Sequence, residues 1–275
     1  MKHKILACLL GLIIVSVAKA QRHSISINSG YVWKSLGTSL PDNLYFRNVT
    51  IDSNILTFKP SRFSLGEGKQ FGLNYTYSFQ NHIGVSVDVE YQKGKSLISH
   101  LWSDDGFTDL KINSKKSQIS VGLLLNVQYK KIGISGIFGP SFNSCKFDYS
   151  VFDITGEDTT KLNYLYTGNI TIGLKNSLQF NYSLNKKMSI RIGGNFNAFN
   201  FSPAKRVLTK YEWENKDYLS SVKPNYKQTN YINYFKEENL NSNPTPQDEN
   251  KPREELKQVI PFSSIGCHLG FVYKF

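Results

Sequence analysis

The sequence predicts an all-β protein, an antiparallel up-and-down transmembrane β-barrel of eight strands, and three observations lead to this fold class. Residues 265–275 alternate apolar side chains with small or polar ones and end the chain on Phe275. Residues 1–20 are laid out like a secretory signal peptide. Between these ends, segments with the same two-residue period are joined alternately by tight turns and by long polar connections.

The amino terminus carries the three parts of a signal peptide. Residues 1–4 are basic, residues 5–17 are apolar, and residues 18–20 form a small-residue cleavage pattern. The apolar part is too short to cross a bilayer of about 30 Å as a helix. We therefore expect residues 1–20 to be a signal peptide and residues 21–275 to form one barrel domain that crosses the membrane with strands.

Eight segments show the alternation expected of strands with one apolar face. Most belong to hairpins in which aromatic residues flank a tight polar turn, as at residues 80–82, 130–131 and 185–187. In chain order, the predicted strands are residues 24–33, 71–79, 83–91, 119–129, 132–138, 170–182, 188–196 and 265–275.

The connections between the hairpins predict how the barrel is oriented. Short periplasmic turns and long extracellular loops are typical of outer-membrane barrels, so both termini are predicted to be periplasmic. An even strand number closes the sheet and leaves no unpaired edge in lipid. Residues 48–58 also alternate weakly, so a ten-stranded barrel is the structural alternative. The long connections cover about residues 34–68, 94–116, 143–167 and 200–261, of which the last is the longest loop.

Composition agrees with a barrel and argues against other classes. The mean hydropathy is negative because only alternate residues of a barrel wall need to be apolar. The formal net charge of +12 comes without a nucleic-acid-binding motif, so a nucleic-acid partner is not expected. Cys145 and Cys267 are not predicted to form a disulfide. No metal-ligand spacing, phosphate loop or nucleotide fingerprint is present, so we expect no cofactor.

The signal peptide, the Tyr-rich hairpins and the terminal residues Tyr273, Lys274 and Phe275 resemble the small outer-membrane barrels typified by outer membrane proteins A and X. The resemblance is closer to the outer-membrane β-barrel domain proteins common in Bacteroidota. It implies a location in the outer membrane of a Gram-negative bacterium, in contact with outer-membrane lipid. It also implies that the barrel-assembly machinery reads Tyr273 and Phe275.

Polar residues between the apolar ones are predicted to face the barrel interior. Asp88, Arg191 and His268 fall at comparable depths, so the acidic pair on the third predicted strand is expected to meet Arg191 on the seventh across the lumen. We interpret this lumen cluster as a salt-bridged plug, and a gated pore or an acid–base set as its alternatives. The cluster comprises Asp88, Glu90, Lys175, Arg191 and His268.

The fourth connection interleaves aromatic residues with mixed charges. Aromatic side chains often supply the binding energy of protein surfaces, so these residues are candidates for contacts with a surface protein or a glycan. The alternative is that they pack over the mouth of the barrel. The candidates are Tyr211, Trp213, Tyr218, Tyr226 and Tyr231.

A search for catalytic residues predicts that the protein is not an enzyme. His100 lies near Asp104 and Asp105, but an Asp-x-His partner is missing from the fourth connection, and no Ser–His set assembles. The sequence therefore predicts a monomeric outer-membrane barrel with a structural or surface-interaction role. A small-solute channel is the alternative, and an outer-membrane hydrolase is a third possibility.

Overall fold

The computed structural model describes residues 23–35, 47–52, 55–60, 64–79, 82–103, 106–234 and 248–275. The predicted signal peptide lies outside the described residues, as do Asp104 and Asp105.

Nearly all of the described chain is β-strand. Two short helical turns, Leu219–Ser221 and Pro224–Lys227, interrupt it. The first strands are β1 (His23–Lys34), β2 (Arg47–Asp52), β3 (Ile55–Pro60), β4 (Gly68–Ser78), β5 (Ile83–Gly94), β6 (Leu97–Ser103), β7 (Gly106–Tyr129), β8 (Ile132–Thr155) and β9 (Asp158–Gly168). The others are β10 (Thr171–Ser183), β11 (Met188–Ala198), β12 (Asn200–Phe201), β13 (Pro203–Trp213), β14 (Lys216–Asp217), β15 (Gln228–Ile232), β16 (Arg253–Leu256), β17 (Ile260–Pro261) and β18 (Ser264–Lys274).

Antiparallel pairing joins eight of these strands into a closed ring, in the order β1, β4, β5, β7, β8, β10, β11, β18 and back to β1. The predicted antiparallel β-barrel is confirmed, and each ring strand contains one of the eight predicted segments apart from the end residues Phe79, Ile170 and Phe275. Residues 48–58, which suggested a ten-stranded barrel, fall in β2 and β3, which pair with each other in a separate sheet. The connections from β4 to β5, from β7 to β8 and from β10 to β11 are each four residues long or shorter, and the strand ends that they join lie at one end of the ring, here called the turn end.

The wall of the ring is apolar outside and polar inside. Outward-facing Ile27, Leu178 and Leu269 are each more than half exposed. Inward-facing side chains between them, such as Asn74 and Gln179, are buried and polar. A broad apolar exterior is unfavourable in water but is the surface that lipid requires. Within the described ranges, no helix is long and apolar enough to cross a membrane.

At the other end, here called the extension end, part of the wall continues beyond the ring. β7 and β8 are each 24 residues long, about twice the length of most ring strands. β8 pairs with β10 over residues 132–143 and then with β9 over residues 146–155. We call the resulting seven-stranded layer the extension sheet; its strands run in the order β6, β7, β8, β9, β13, β15 and β16. The long connections predicted as polar loops therefore contain paired strands.

A hydrophobic core lies where the extension sheet meets the ring. Phe147 stacks on Tyr166 with ring centroids 4.3 Å apart, and Phe201 contacts Phe262 edge-on at 5.6 Å. Lys116, whose side chain points into the ring, lies with its Nζ 5.5 Å from the Phe199 ring centroid. This cluster, here called the aromatic core, therefore begins at the level of the barrel where the polar interior ends. Its fully buried members are Ile112, Phe147, Phe201, Ile260 and Phe262.

Candidate functional site

An ion-pair group crosses the middle of the ring. Lys175 Nζ on β10 donates to Glu90 Oε1 on β5 at 2.6 Å and lies 3.6 Å from Asp88 Oδ2. All three side chains are almost fully buried. β10 and β5 are three strands apart around the ring, so these contacts span the interior rather than joining neighbours. One lysine thus pairs with two carboxylates across the interior.

Arg191 on β11 belongs to the same network but not to the ion pair. Its Nη1 donates to Ser26 Oγ at 2.9 Å and to Asn74 Oδ1 at 3.0 Å, and its Nε donates to Asn181 Oδ1 at 2.8 Å. Asn74 Nδ2 in turn donates to Asp88 Oδ1 at 2.8 Å. The expected pairing of the acidic residues with Arg191 is therefore wrong: their ion-pair partner is Lys175, and Arg191 is connected to Asp88 only through the side-chain amide of Asn74.

His268 on β18 fits between two glycines. It is paired with Gly30 on β1 and with Gly193 on β11. A Cβ at position 193 would lie 2.7 Å from His268 Nε2, so glycine there gives the imidazole its space. His268 Nε2 makes no hydrogen bond within the described residues, and it faces the interior rather than a catalytic partner.

The interior between the ion-pair group and the aromatic core is filled by amides. Gln118 Nε2 donates to Asn197 Oδ1 at 3.0 Å, and Asn195 Nδ2 donates to Gln70 Oε1 at 3.1 Å. Several buried polar atoms there have no protein partner in the described chain, which is the setting in which proteins hold ordered water. They include Gln92 Oε1, Lys116 Nζ, Gln118 Oε1, Asn143 Oδ1 and Asn197 Nδ2.

The turn end of the lumen is a small polar vestibule. Its volume is about 110 Å³. Arg191 forms part of its inner limit, and residues of six other ring strands contribute to the lining. The lumen therefore consists of a vestibule, an ion-pair layer, an amide layer and the aromatic core in succession. An eight-stranded ring is about wide enough for side chains to fill, and here they do.

The aromatic candidates of the fourth connection separate into two groups. Tyr211 and Trp213 on β13 lie against Tyr218, with ring centroids 6.1 and 5.9 Å from it. Tyr226 is 64% exposed, whereas Tyr231 is 5% exposed. Tyr231 stacks on Tyr166 in the aromatic core, so its assignment as a surface contact was wrong. The reason is its position on β15, which turns alternate side chains toward the core.

Tyr226 and Tyr211 line a cavity of about 570 Å³ on the extension sheet. Lys223 and Glu249 form an ion pair among its lining residues. Asn225 also lines it; this residue is buried, and its Oδ1 has no hydrogen-bond partner within the described residues. The remaining lining residues are Leu162, Tyr164, Arg206, Leu208, Ser221, Val222 and Arg253.

Arg206 is the central charge of this cavity, and sequence reasoning missed it. Its Nη2 donates to Thr229 Oγ1 at 2.8 Å and lies 3.6 Å from Glu255 Oε1. Its guanidinium lies 5.3 Å from the Tyr164 ring centroid, within cation–π range. Burial raises the pKa of Tyr164 and raises the pKa of Tyr149 to about 12, so both phenols stay neutral near pH 7. The pairing of β9 with β13 brings these residues together, and no local motif signals that pairing.

The hydrolase possibility gains no support from the geometry. His100 on β6 contacts Asp109 directly across on β7, as a single exposed pair. Across the described ranges, no group of three or more His, Cys, Asp or Glu side chains could hold a metal ion. The two described cysteines, Cys145 and Cys267, are both free, as the sequence suggested.

The terminal residues close the barrel. Tyr273 is paired with Ile25 on one side and Met188 on the other. The backbone N–H of Phe275 donates to the carbonyl of His23 at 3.0 Å, and its ring lies edge-on to Tyr273 at 5.1 Å. Both aromatic side chains are exposed on the outer face of the wall. Recognition of this strand by the assembly machinery stays a prediction.

An apolar-out, polar-in closed ring of antiparallel strands is the architecture of outer-membrane barrels. This chain has that fold. No protein-family model matches it, and no curated protein matches its sequence.

Solved outer-membrane proteins resemble the structure at low sequence identity. OprG from Pseudomonas aeruginosa is 13% identical, with 94% of this chain and 97% of that chain covered and a TM-score of 0.46. A major outer membrane protein from Thermus thermophilus is 13% identical, with 94% and 100% covered and a TM-score of 0.44. Ail, the attachment invasion locus protein of Yersinia pestis, is 12% identical, with 94% and 100% covered and a TM-score of 0.36. These similarities are too distant to indicate a ligand or an activity.

Proposed function

We propose that this protein is a monomeric, non-catalytic outer-membrane barrel that binds a surface ligand through its extension sheet. The observation that carries the proposal is the 570 Å³ cavity on that sheet, which is lined on one side by paired strands and on the other by the helical turns at residues 219–227. Its volume falls in the range of small-molecule sites, about 300 to 1,000 Å³. A rigid platform lowers the ordering cost of binding.

The chemistry of the cavity favours a glycan over a protein partner. Tyr164, Tyr211 and Tyr226 supply aromatic faces with polar tips, which suit the apolar face and the hydroxyl groups of a sugar ring. Asn225 supplies a carbonyl oxygen without a protein partner in the described chain, and a hydroxyl is a matching donor. Lys223 is paired with Glu249, and Arg206 and Arg253 are both paired with Glu255, so each cationic side chain of the lining already has a carboxylate partner and selection of a polyanion is not favoured.

The ligand is proposed to approach from outside the cell. Bacterial outer-membrane barrels have short periplasmic turns and longer extracellular connections. By this rule the turn end, with His23 and Phe275 beside it, faces the periplasm, and the extension sheet rises from the cell surface.

The test is binding of the purified, micelle-folded protein to an array of defined glycans. Tyr226→Ala is expected to weaken the strongest signal at least fivefold, because Tyr226 is an exposed wall of the cavity. Tyr234→Ala is the matched control, since Tyr234 is 63% exposed but lies outside the cavity lining. Intact cells producing the wild-type protein should bind the same glycan. Absence of any array signal, or equal loss in both variants, would contradict the proposal.

The layered interior weighs against the small-solute channel. A solute entering the vestibule would meet the Lys175 ion pairs and then the aromatic core, and both would have to move. We therefore propose that the interior is a plug with a structural role.

A further inference from the structure

Four lysines occupy directly opposed positions on four neighbouring ring strands. Lys69 on β4 is paired with Lys93 on β5, Lys93 with Lys115 on β7, and Lys115 with Lys146 on β8. All four alternate with buried inward-facing neighbours, so they share the outer face of the wall. Three are exposed and Lys115 is half-buried. Strands lie about 4.8 Å apart, so this lysine row extends over roughly 14 Å.

The lysine row marks the border of the lipid-facing band at the extension end. On the same face, Phe71 and Tyr91 follow Lys69 and Lys93 at a distance of two residues toward the turn end, and they are 59% and 44% exposed. Two residues further toward the turn end, β4, β5 and β7 carry Leu73, Val89 and Ile119, which are also exposed. The row therefore lies at the level where hydrocarbon gives way to headgroups, which is where lysine side chains ordinarily extend.

The charges of the row are not neutralised within the described protein. No ion pair of the described residues involves any of the four lysines. Nearby Lys95, in contrast, is paired with Glu67 at 3.1 Å. Like charges placed directly opposite each other on a sheet are destabilising, and here three such pairs occur in succession. An external anion that bridges them would remove this repulsion.

A groove on the wall adjoins the row. It has a volume of about 520 Å³ and is lined mainly by outward-facing apolar side chains. Its lining includes Phe71, Tyr91 and Phe142, each on a strand that also carries one of the lysines. A free anion would use the row alone. A lipid would use the row for its headgroup and the groove for an acyl chain.

We propose that the lysine row and this groove form a binding site for a phosphorylated anionic lipid of the leaflet at the extension end. The row is wide enough for more than one phosphate group, each held by adjacent ammonium groups. The groove selects a lipid over free phosphate. This site is separate from the cavity on the extension sheet and does not depend on the ligand proposed there.

The test uses the full barrel folded in dodecyl maltoside micelles, with bound lipid counted by native mass spectrometry. Phosphatidic acid is the anionic probe and phosphatidylcholine of the same acyl chains the zwitterionic one. The wild type is expected to retain phosphatidic acid at least fivefold more than phosphatidylcholine. The double variant Lys93→Gln with Lys115→Gln is expected to lose that preference, because it removes the two central charges.

Two further variants make the result specific. Lys93→Arg with Lys115→Arg keeps the charges and should keep the preference. Lys186→Gln with Lys187→Gln changes two exposed lysines at the turn end and should also keep it. Folding of each variant is checked by its heat-dependent migration on a gel. An equal affinity of the wild type for the two lipids, an unchanged preference in the central double variant, or displacement of the lipid by equimolar inorganic phosphate would overturn the proposal.

Discussion

Lys175 shows how a narrow lumen resolves buried charge. Desolvating a carboxylate or an ammonium is costly, and the cost is offset only by close pairing with good hydrogen bonds. Glu90 Oε1 at 2.6 Å and Asp88 Oδ2 at 3.6 Å provide that pairing. Asn74 and Ser120 also donate to Asp88. The lysine thereby links the β10 wall to the β5 wall, and it stiffens the barrel across its interior.

We expect Lys175→Ala to lower the free energy of unfolding by about 3 kcal/mol or more, because two buried carboxylates lose their counter-charge. Urea titration of the micelle-folded barrel, followed by heat-dependent gel migration, measures the change. Lys187→Ala at the exposed turn end is the control and should shift stability by no more than about 0.5 kcal/mol. Equal urea midpoints for the two variants would show that the ion pair is not stabilising.

The direction of each lumen side chain could be predicted from the sequence, but its partner could not. Alternation alone places Asp88, Glu90 and His268 on the inner face. Which of Lys175 and Arg191 meets the acids depends on the relative heights of strands across the ring, and those heights follow from register around the whole barrel. The glycines beside His268 are a usable signal, since a bulky inward residue needs small neighbours at its level.

At the scale of elements, β7 and β8 show where the sequence prediction stopped short. Their predicted segments, 119–129 and 132–138, cover only the lipid-facing part, where apolar residues alternate with small or polar ones. From residue 115 toward the extension end, the outward positions of β7 carry lysine, asparagine and aspartate, so the apolar face disappears although the strand continues. The alternation of apolar with polar residues identifies the part of a strand that contacts lipid. A strand that continues outside the membrane has no lipid contact and so lacks this alternation.

Tyr231 belongs to this extension layer, and its burial makes a prediction. Tyr231→Ala should destabilise the extension sheet by about 3 kcal/mol, because the residue is 5% exposed and stacks on Tyr166. The loss should appear as faster tryptic cleavage within β13 to β16, while the ring stays resistant. Tyr226→Ala, at an exposed position five residues earlier, should leave the cleavage rate unchanged. If Tyr231→Ala were cleaved at the same rate as the wild type, the aromatic core would not be what holds β15 in place.

At the scale of the whole molecule, two different closures act in series. The ion-pair layer closes the middle of the lumen with charges, and the aromatic core closes the extension end with apolar rings. As part of the proposed plug, the first is expected to exclude solutes by occupying the space and the second by excluding water. The vestibule of about 110 Å³ at the turn end therefore leads into filled space.

Series closure predicts that the wild-type barrel carries no unitary current above background in a planar bilayer. Lys175→Ala should also remain silent, although it removes the central cation, because the aromatic core still covers the extension end. Combining Lys175→Ala with Phe199→Ala should open a path, since the second change removes the ring that lies over Lys116. Stable currents from the wild type would show that the interior conducts. Currents from Lys175→Ala alone would show that the ion-pair layer is the only barrier and that the aromatic core is permeable to ions.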